Sequence, residues 1–271
     1  MEVTLILAYI GALIIGLVLG LIGGGGSILT VPVLVYLLTI NPVLATAYSL
    51  FIVGATSAVG TFQNLKKGLV DLKTAFVFAV PALISVYIAR KYIVPIIPEE
   101  LFTVYSIVVS RGTGIMVFFA SIMLLAAFSM IRKKKAVDQE LSNDSEKSHK
   151  FNYLLITVEG LGVGFVTGIV GAGGGFLIIP ALVLLAKLPM KRAVATSLLI
   201  IAVKSLIGFV GDVQNLEIDW GFLLSFTLVS IVGIFIGIYL NRFVEGKRLK
   251  KSFGWFVFTM AIYILWKEIG K

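Results

Sequence analysis

Two glycine clusters carry the chain's strongest signal of binding chemistry. Each glycine costs about 1 kcal/mol relative to alanine inside a helix, so adjacent glycines predict a break. A helix that begins after such a break presents free N–H groups and a partial positive charge, which suits an anion. The alternative is that the glycines serve only close helix packing. The candidate residues are Gly23, Gly24, Gly25, Gly26 and Ser27 in the first cluster, and Gly171, Gly173, Gly174 and Gly175 in the second.

Lys204 is the candidate for a fixed positive charge, because it lies in the middle of the apolar residues 192–211. A lysine at the centre of a membrane helix costs about 2.5–3.5 kcal/mol on insertion scales, so it should face a cavity or a partner. A bound anion is one partner; an ion pair with Asp212 or Glu159, or snorkelling, is the alternative. Serines two turns apart would add hydrogen bonds to an anion, unless they bond back to their own helix. These serines are Ser49, Ser57, Ser197 and Ser205.

Weaker signals come from two charged residues, and the common enzyme signatures are missing. Glu159 could accept a transported proton, and Arg111 could be a second anion contact; a structural role is the alternative for both. The sequence has no cysteine, one histidine and no paired catalytic carboxylates. The glycine clusters lack the Gly-Lys-Ser/Thr of a nucleotide loop and the flanking strand of a dinucleotide fold. We therefore expect no catalytic residue, no metal and no cofactor, and not an enzyme.

Composition places the chain in a membrane. Of 271 residues, 59% are hydrophobic and 14% are charged, and the mean hydropathy is +1.05. Soluble domains carry about 25% charged residues. The apolar runs are continuous and span-length, which favours helices over a barrel. The net charge of +9 is explained by loop cations that set topology rather than by nucleic acid. We expect a multi-pass protein of the cell (inner) membrane, with the lipid bilayer as a partner.

An internal repeat organises these spans. With an offset of 148 and no gap, residues 16–60 match 164–208 at 18 of 45 positions, and the register still holds at Asp71 and Asp219. Repeats with interrupted helices at matching places are typical of secondary transporters. The predicted fold is an all-α bundle of about eight spans. It divides into a first repeat of four spans at 1–131, a cytoplasmic polar linker at 132–150 and a second repeat of four spans at 151–271.

Each repeat is predicted to begin with a glycine-broken helix followed by a re-entrant half-helix, because residues 28–39 and 176–187 are too short to cross. The small residues of 43–63 predict a central helix. Residues 101–131 are too long for one span and predict either a kink or a short re-entrant piece. Four crossings per half make the repeat parallel, but they leave Lys247–Lys251 outside, against the positive-inside rule. An odd number of crossings inverts the halves, so the orientation stays open.

The glycine-to-proline segments, 20–32 and 168–180, and the Ala-x-Ser-Leu pieces at 47–50 and 195–198 resemble the TauE/SafE sulfite exporter family, also called the 4-toluene sulfonate uptake permease family. The resemblance covers nearly the whole chain. It implies a permease of about eight helices that moves a small inorganic or organosulfur anion, such as sulfite, sulfoacetate or another organosulfonate.

Transport would then proceed by alternating access between the repeats. H+ or Na+ as the coupling ion, and assembly as a homo-oligomer, stay open. Two alternative functions also stay open: an anion channel, and a membrane protein that uses its cavity for a polypeptide.

Overall fold

The computed structural model describes residues 2–24, 26–104, 107–131, 153–171, 173–184, 186–244 and 246–269. The predicted linker at 132–150 and the candidate residue Gly25 lie outside these ranges. Within these ranges the regular secondary structure is helical, apart from one short β-hairpin.

The helices and strands follow one another in a simple order. The first half contains α1 (Glu2–Ile22), α2 (Ser27–Pro32, continued by a π-helical segment Val33–Leu37), α3 (Pro42–Lys66), α4 (Leu72–Ile88, continued through Ala89–Ile93 and Val94–Ile96), strands β1 (Glu100–Val104) and β2 (Ile107–Ser110), and α5 (Arg111–Ile131). The second half contains α6 (Tyr153–Val170), α7 (Gly175–Leu184), α8 (Met190–Val213), α9 (Trp220–Leu240) and α10 (Gly246–Ile269).

Six of these helices are long and apolar enough to cross a bilayer: α1, α3, α4 with its continuation, α5, α8 and α9. A span needs about 20 apolar residues, because the hydrocarbon core is about 30 Å thick. The stretches Ser27–Leu37 and Ile156–Val170 are apolar but shorter. The protein is therefore an integral, multi-pass, all-α membrane protein.

The kinked helix that was one alternative for residues 101–131 is wrong, because Glu100–Val104 and Ile107–Ser110 are strands, while the short re-entrant piece stays a prediction. The two strands form an antiparallel pair, in which Thr103 lies opposite Val108, and α5 begins directly afterwards at Arg111. The β-branched residues Val104, Ile107 and Val108 favour extended backbone, which explains why the helical pattern does not continue backwards from α5.

Helices α3 and α8 form the centre of the bundle and run antiparallel. In each, 72% of the span is buried, against 39–44% in the other four long spans. Phe51 packs on Phe209 with ring centroids 5.0 Å apart, and Gly54 faces the side chain and amide nitrogen of Leu206. Ala58 and Ala202 line the same surface cleft between the two helices. The small residues of α3 allow this close approach, as predicted.

Glycines also bring α1 against α9 and α6 against α4. Gly16 packs on the backbone of Ser230, and Gly164 packs on the backbone of Ala82. These two contacts map onto each other with the 148-residue offset of the sequence repeat.

The two aspartates that the repeat aligns also make matching contacts. Asp71 caps α4 by accepting from the Thr74 amide, and its own amide donates to Thr196 Oγ1 at 2.9 Å. Asp219 caps α9 in the same way, and its amide donates to the hydroxyl of Tyr48 at 2.8 Å. Each cap therefore joins one half of the chain to the central helix of the other half.

Candidate functional site

Both glycine clusters break the helical backbone where the sequence predicts. Helix α1 ends at Ile22 and α2 begins at Ser27, while α6 ends at Val170 and α7 begins at Gly175. Gly23 and Gly171, the first residue after each long helix, have φ of +84° and +70°. Only glycine adopts this left-handed region without strain, so each turn depends on it.

The two breaks touch each other. A methyl group added to Gly24 would overlap the backbone of Gly175, and one added to Gly173 would lie 3.2 Å from Cβ of Ser27. The N-terminal ends of α2 and α7 are therefore neighbours. Ser27 lies at this junction, but its hydroxyl donates to the carbonyl of Gly24 at 2.6 Å, so it closes its own turn.

One face of α8 contacts both helix breaks. An added methyl on Gly23 would lie 2.8 Å from Ser197 Oγ, and one on Gly174 would lie 2.7 Å from Lys204 Nζ. Lys204 is fully buried, and its ammonium donates to Thr167 Oγ1, the last threonine of α6, at 2.5 Å. Among the described residues it forms no ion pair. The two alternatives that paired it with Asp212 or Glu159 are therefore wrong.

The corresponding face of α3 contacts the second break. Thr46 contacts Gly171, and a methyl on Gly173 would lie 2.7 Å from Val53 Cγ1. Positions 46 and 53 correspond to 194 and 201 on α8, where Val194 contacts Gly23 and Ile201 contacts Gly175. The central pair of helices thus holds both turns between them.

Several buried hydroxyl groups on these two central helices have no hydrogen-bond partner among the described residues. The hydroxyl of Ser197 donates to the carbonyl of Val194 at 2.8 Å, so this serine bonds back to its own helix, which was the alternative to anion binding. The hydroxyls of Ser49, Ser57 and Ser205 are buried and make no hydrogen bond within the described part of the chain. The hydroxyl of Thr56 is also buried and makes none there. An unsatisfied buried hydroxyl costs about 1–3 kcal/mol, so these four groups are suited to a polar guest.

Arg90 is a second buried cation at the breaks, and the sequence analysis missed it. Its Nη1 lies 3.2 Å from Asp212 Oδ2 and donates to Thr46 Oγ1 at 3.0 Å. The side chain also contacts Gly171, while Nε and Nη2 have no hydrogen-bond partner within the described ranges. The sequence Ala89-Arg90-Lys91 suggests a loop cation at a span end. However, α4 continues as a helix through residue 96, so Arg90 is drawn inside.

At the second break, Gly171 is therefore contacted by Arg90 and Gly174 by Lys204. Asp212 balances one of these two charges. The formal charges of Arg90, Lys204 and Asp212 sum to +1, next to two helix N-termini. The described residues contain no group of three or more His, Cys, Asp or Glu side chains that could hold a metal ion.

The other two charged candidates lie apart from this junction. Arg111 Nη1 donates to the carbonyl of Ile97 at 3.2 Å, so it fastens the start of α5 to the end of α4. Glu159 is half-buried in α6, two turns before Thr167. It makes no hydrogen bond or ion pair with another described residue. The structure gives neither of them a contact with the glycine turns.

The family model of sulfite exporter TauE/SafE matches residues 8–264, which include both helix breaks and all four central hydroxyls. The chain belongs to the TauE/SafE family. This membership supports a membrane transporter, and the glycine junction lies within the matched region.

Relatives of this TauE/SafE chain carry consistent names. A "probable membrane transporter protein" of Xylella fastidiosa (strain 9a5c) is 27% identical over 260 residues, covering 94% of this chain and 92% of that protein. The "probable membrane transporter protein YunE" of Bacillus subtilis (strain 168) is 30% identical over 251 residues, covering 88% of each. A third, from Methanocaldococcus jannaschii, is 33% identical over 125 residues, covering 42% of this chain and 47% of that protein. No solved structure matches the chain.

Proposed function

We propose that this TauE/SafE protein is a secondary transporter of a small sulfur-containing anion, such as sulfite or an organosulfonate, which binds at the junction of the two helix breaks. The observation that carries the proposal is Lys204. It is fully buried at mid-span and bonded to one hydroxyl, with no carboxylate partner among the described residues. A charge in that position is costly unless something neutralises it.

An anion bound beside Lys204 would meet complementary groups on several sides. The ammonium supplies charge, and the N-terminal ends of α2 and α7 supply amide groups. Ser57 and Ser205, whose hydroxyls have no partner among the described residues, supply hydroxyl donors. Arg90 Nε and Nη2, which also have no partner in the described part of the chain, could make a second contact on the far side of the glycine turn. The anion passes unchanged, without a cofactor.

The halves are proposed to form an inverted repeat, which makes alternating access possible. Its support is the antiparallel arrangement of α3 and α8, which occupy equivalent places in the sequence repeat. The contacts Gly16–Ser230, Gly23–Val194 and Asp71–Thr196 each have a counterpart at positions offset by 148 residues. Helices α2 and α7 then enter from opposite sides as re-entrant half-helices that meet at mid-membrane.

This inversion also resolves the charge conflict of the parallel arrangement. Helix α3 ends beside the end of α9, because Lys66 and Arg242 line one groove. Helix α10 follows α9 directly, so the cluster Lys247–Lys251 falls on the same side as Lys66. By the positive-inside rule that side is cytoplasmic.

The test is uptake of radiolabelled sulfite into liposomes that contain the purified protein. Lys204→Gln should lower the initial rate at least tenfold, because the site loses its unbalanced charge. Lys191→Gln, which removes an exposed cation at the start of the same helix, should leave the rate unchanged. Equal rates for Lys204→Gln and the unmodified protein would remove Lys204 from the transport site. A rate that fails to saturate with substrate would favour a channel.

A further inference from the structure

A second site, separate from the glycine junction, lies where α3 and α9 end. It is a groove of about 360 Å³ lined by Lys66, Lys67, Gln63 and Arg242, with Phe235 and Tyr239 below them. This volume falls in the about 300–1,000 Å³ that binding pockets for small molecules occupy. The groove opens on the outside of the bundle, because Lys66, Lys67, Arg242 and Tyr239 are all exposed.

The three cations of this groove have no carboxylate partner within the described ranges. Partial burial and the neighbouring charge of Arg242 lower the pKa of Lys67, so the cluster repels itself. Aromatic rings hold two of the charged heads in place. Lys66 Nζ lies 4.4 Å from the ring centre of Phe62, and the Arg242 guanidinium lies 5.7 Å from that of Tyr239. The groove therefore offers unbalanced positive charge in a fixed position.

The surface next to these cations is apolar and belongs to membrane spans. Phe62, Phe235, Tyr239 and Phe243 are exposed on the last turns of α3 and α9 and just beyond α9. Tyr239 lies at the end of α9, and a tyrosine in that position marks the level of the lipid headgroups. A ligand in this groove would thus meet cations at its head and exposed aromatic and aliphatic side chains along its tail.

We propose that this groove binds the phosphate headgroup of an anionic phospholipid, with the acyl chains lying along α3 and α9. A phospholipid fits both halves of the surface, whereas a free inorganic anion would use only the cations. The repeat does not reproduce the cluster, since the positions 148 residues away from the three cations are Gln214, Asn215 and Val94. The cations are thus a property of this end of the bundle, where an anionic leaflet would attract them.

The experiment compares two double variants of the full chain that lose the same charge. Lys66→Gln/Arg242→Gln removes cations from the groove, and Lys191→Gln/Arg192→Gln removes exposed cations from the start of α8. Each detergent-purified protein is titrated with phosphatidylglycerol, phosphatidylcholine or inorganic phosphate, and thermal stability and bound lipid (by native mass spectrometry) are recorded. Phosphatidylglycerol should bind the groove variant about twenty-fivefold more weakly than the unmodified protein, since each of the two cations contributes about fivefold near an anionic surface. The α8 variant should bind it normally.

The swap Lys66→Arg/Arg242→Lys keeps both charges and should retain phosphatidylglycerol binding, which guards against a general effect of altering the groove. The proposal is overturned if both double variants bind phosphatidylglycerol alike. It is also overturned if phosphatidylcholine stabilises the protein equally, or if inorganic phosphate alone reproduces the effect. Sulfite uptake by the Lys204 variants is a separate readout, so this proposal and the transport proposal can fail independently.

Discussion

Replacing Gly24 by alanine tests whether the contact between the two helix breaks stabilises the protein and also forms the anion site. The added methyl would overlap Gly175 Cα and lie 2.6 Å from its carbonyl oxygen, which is closer than the 3.0 Å that real Cβ atoms keep. The obstacle is backbone, so no side-chain rotation relieves it. Overpacking of this kind costs about 1–3 kcal/mol, and the N-terminal ends of α2 and α7 must separate. We expect lower thermal stability, and a loss of the stabilisation that the proposed binding of sulfite would give the unmodified protein.

Gly162→Ala is the matched control, because Gly162 is exposed on α6 and an added methyl meets nothing within 4 Å. It should be neutral or raise the free energy of unfolding by up to about 1 kcal/mol, the helix-propensity difference between the two residues. Both variants are compared by thermal unfolding in detergent, with and without sulfite. Equal melting temperatures and equal sulfite-induced shifts would refute the claim that the breaks are in contact and form the site.

Three further predictions concern the same core. Ser57→Ala should stabilise the anion-free protein by about 1–3 kcal/mol, because it removes a buried hydroxyl that has no partner among the described residues, and should weaken the thermal shift expected from the proposed binding of sulfite. Arg90→Met should destabilise by about 3–5 kcal/mol, since it leaves Asp212 buried and unpaired, and adding Asp212→Leu should recover most of that loss in a double-mutant cycle. Single cysteines at Lys67 and Asn215, equivalent positions in the repeat, should react with an impermeant maleimide from opposite sides of the membrane.

Each of these three has an internal check. Ser197→Ala removes a hydroxyl that already bonds to the Val194 carbonyl, so it should not stabilise the protein. A purely additive Arg90 and Asp212 cycle would mean that the pair does not interact. The cysteine experiment needs no background removal, because the natural chain contains no cysteine. Labelling of both cysteines from the same side would contradict the inverted arrangement.

Local chemistry explains which parts of the fold could be predicted from sequence. The breaks at Gly23 and Gly171 follow from the poor helix propensity of glycine, which acts wherever the residue stands. The central position of α3 follows from its small residues, which permit close packing. Neither prediction depends on how distant segments meet.

The contacts at the site are made between segments that are far apart in sequence, and the sequence is less informative about such tertiary contacts. The partner of Lys204 is Thr167, whose hydroxyl has no charge pattern to mark it. Arg90 beside Lys91 reads as the cationic end of a span. One signal could have corrected this: position 238, which the repeat aligns with Arg90, is an isoleucine inside the apolar helix α9. The alignment therefore places Arg90 within a span.

The most direct measurement is to locate the bound anion itself. Selenite is a heavier analogue of sulfite, and its selenium atom gives an anomalous signal that can be placed in a crystal of the unmodified protein. The proposal predicts a peak within hydrogen-bonding distance of Lys204 Nζ, beside Gly174 and the junction of α2 and α7. A peak that appears only in the cationic groove at Lys66 and Arg242, or that persists beside residue 204 in the Lys204→Gln protein, would contradict it.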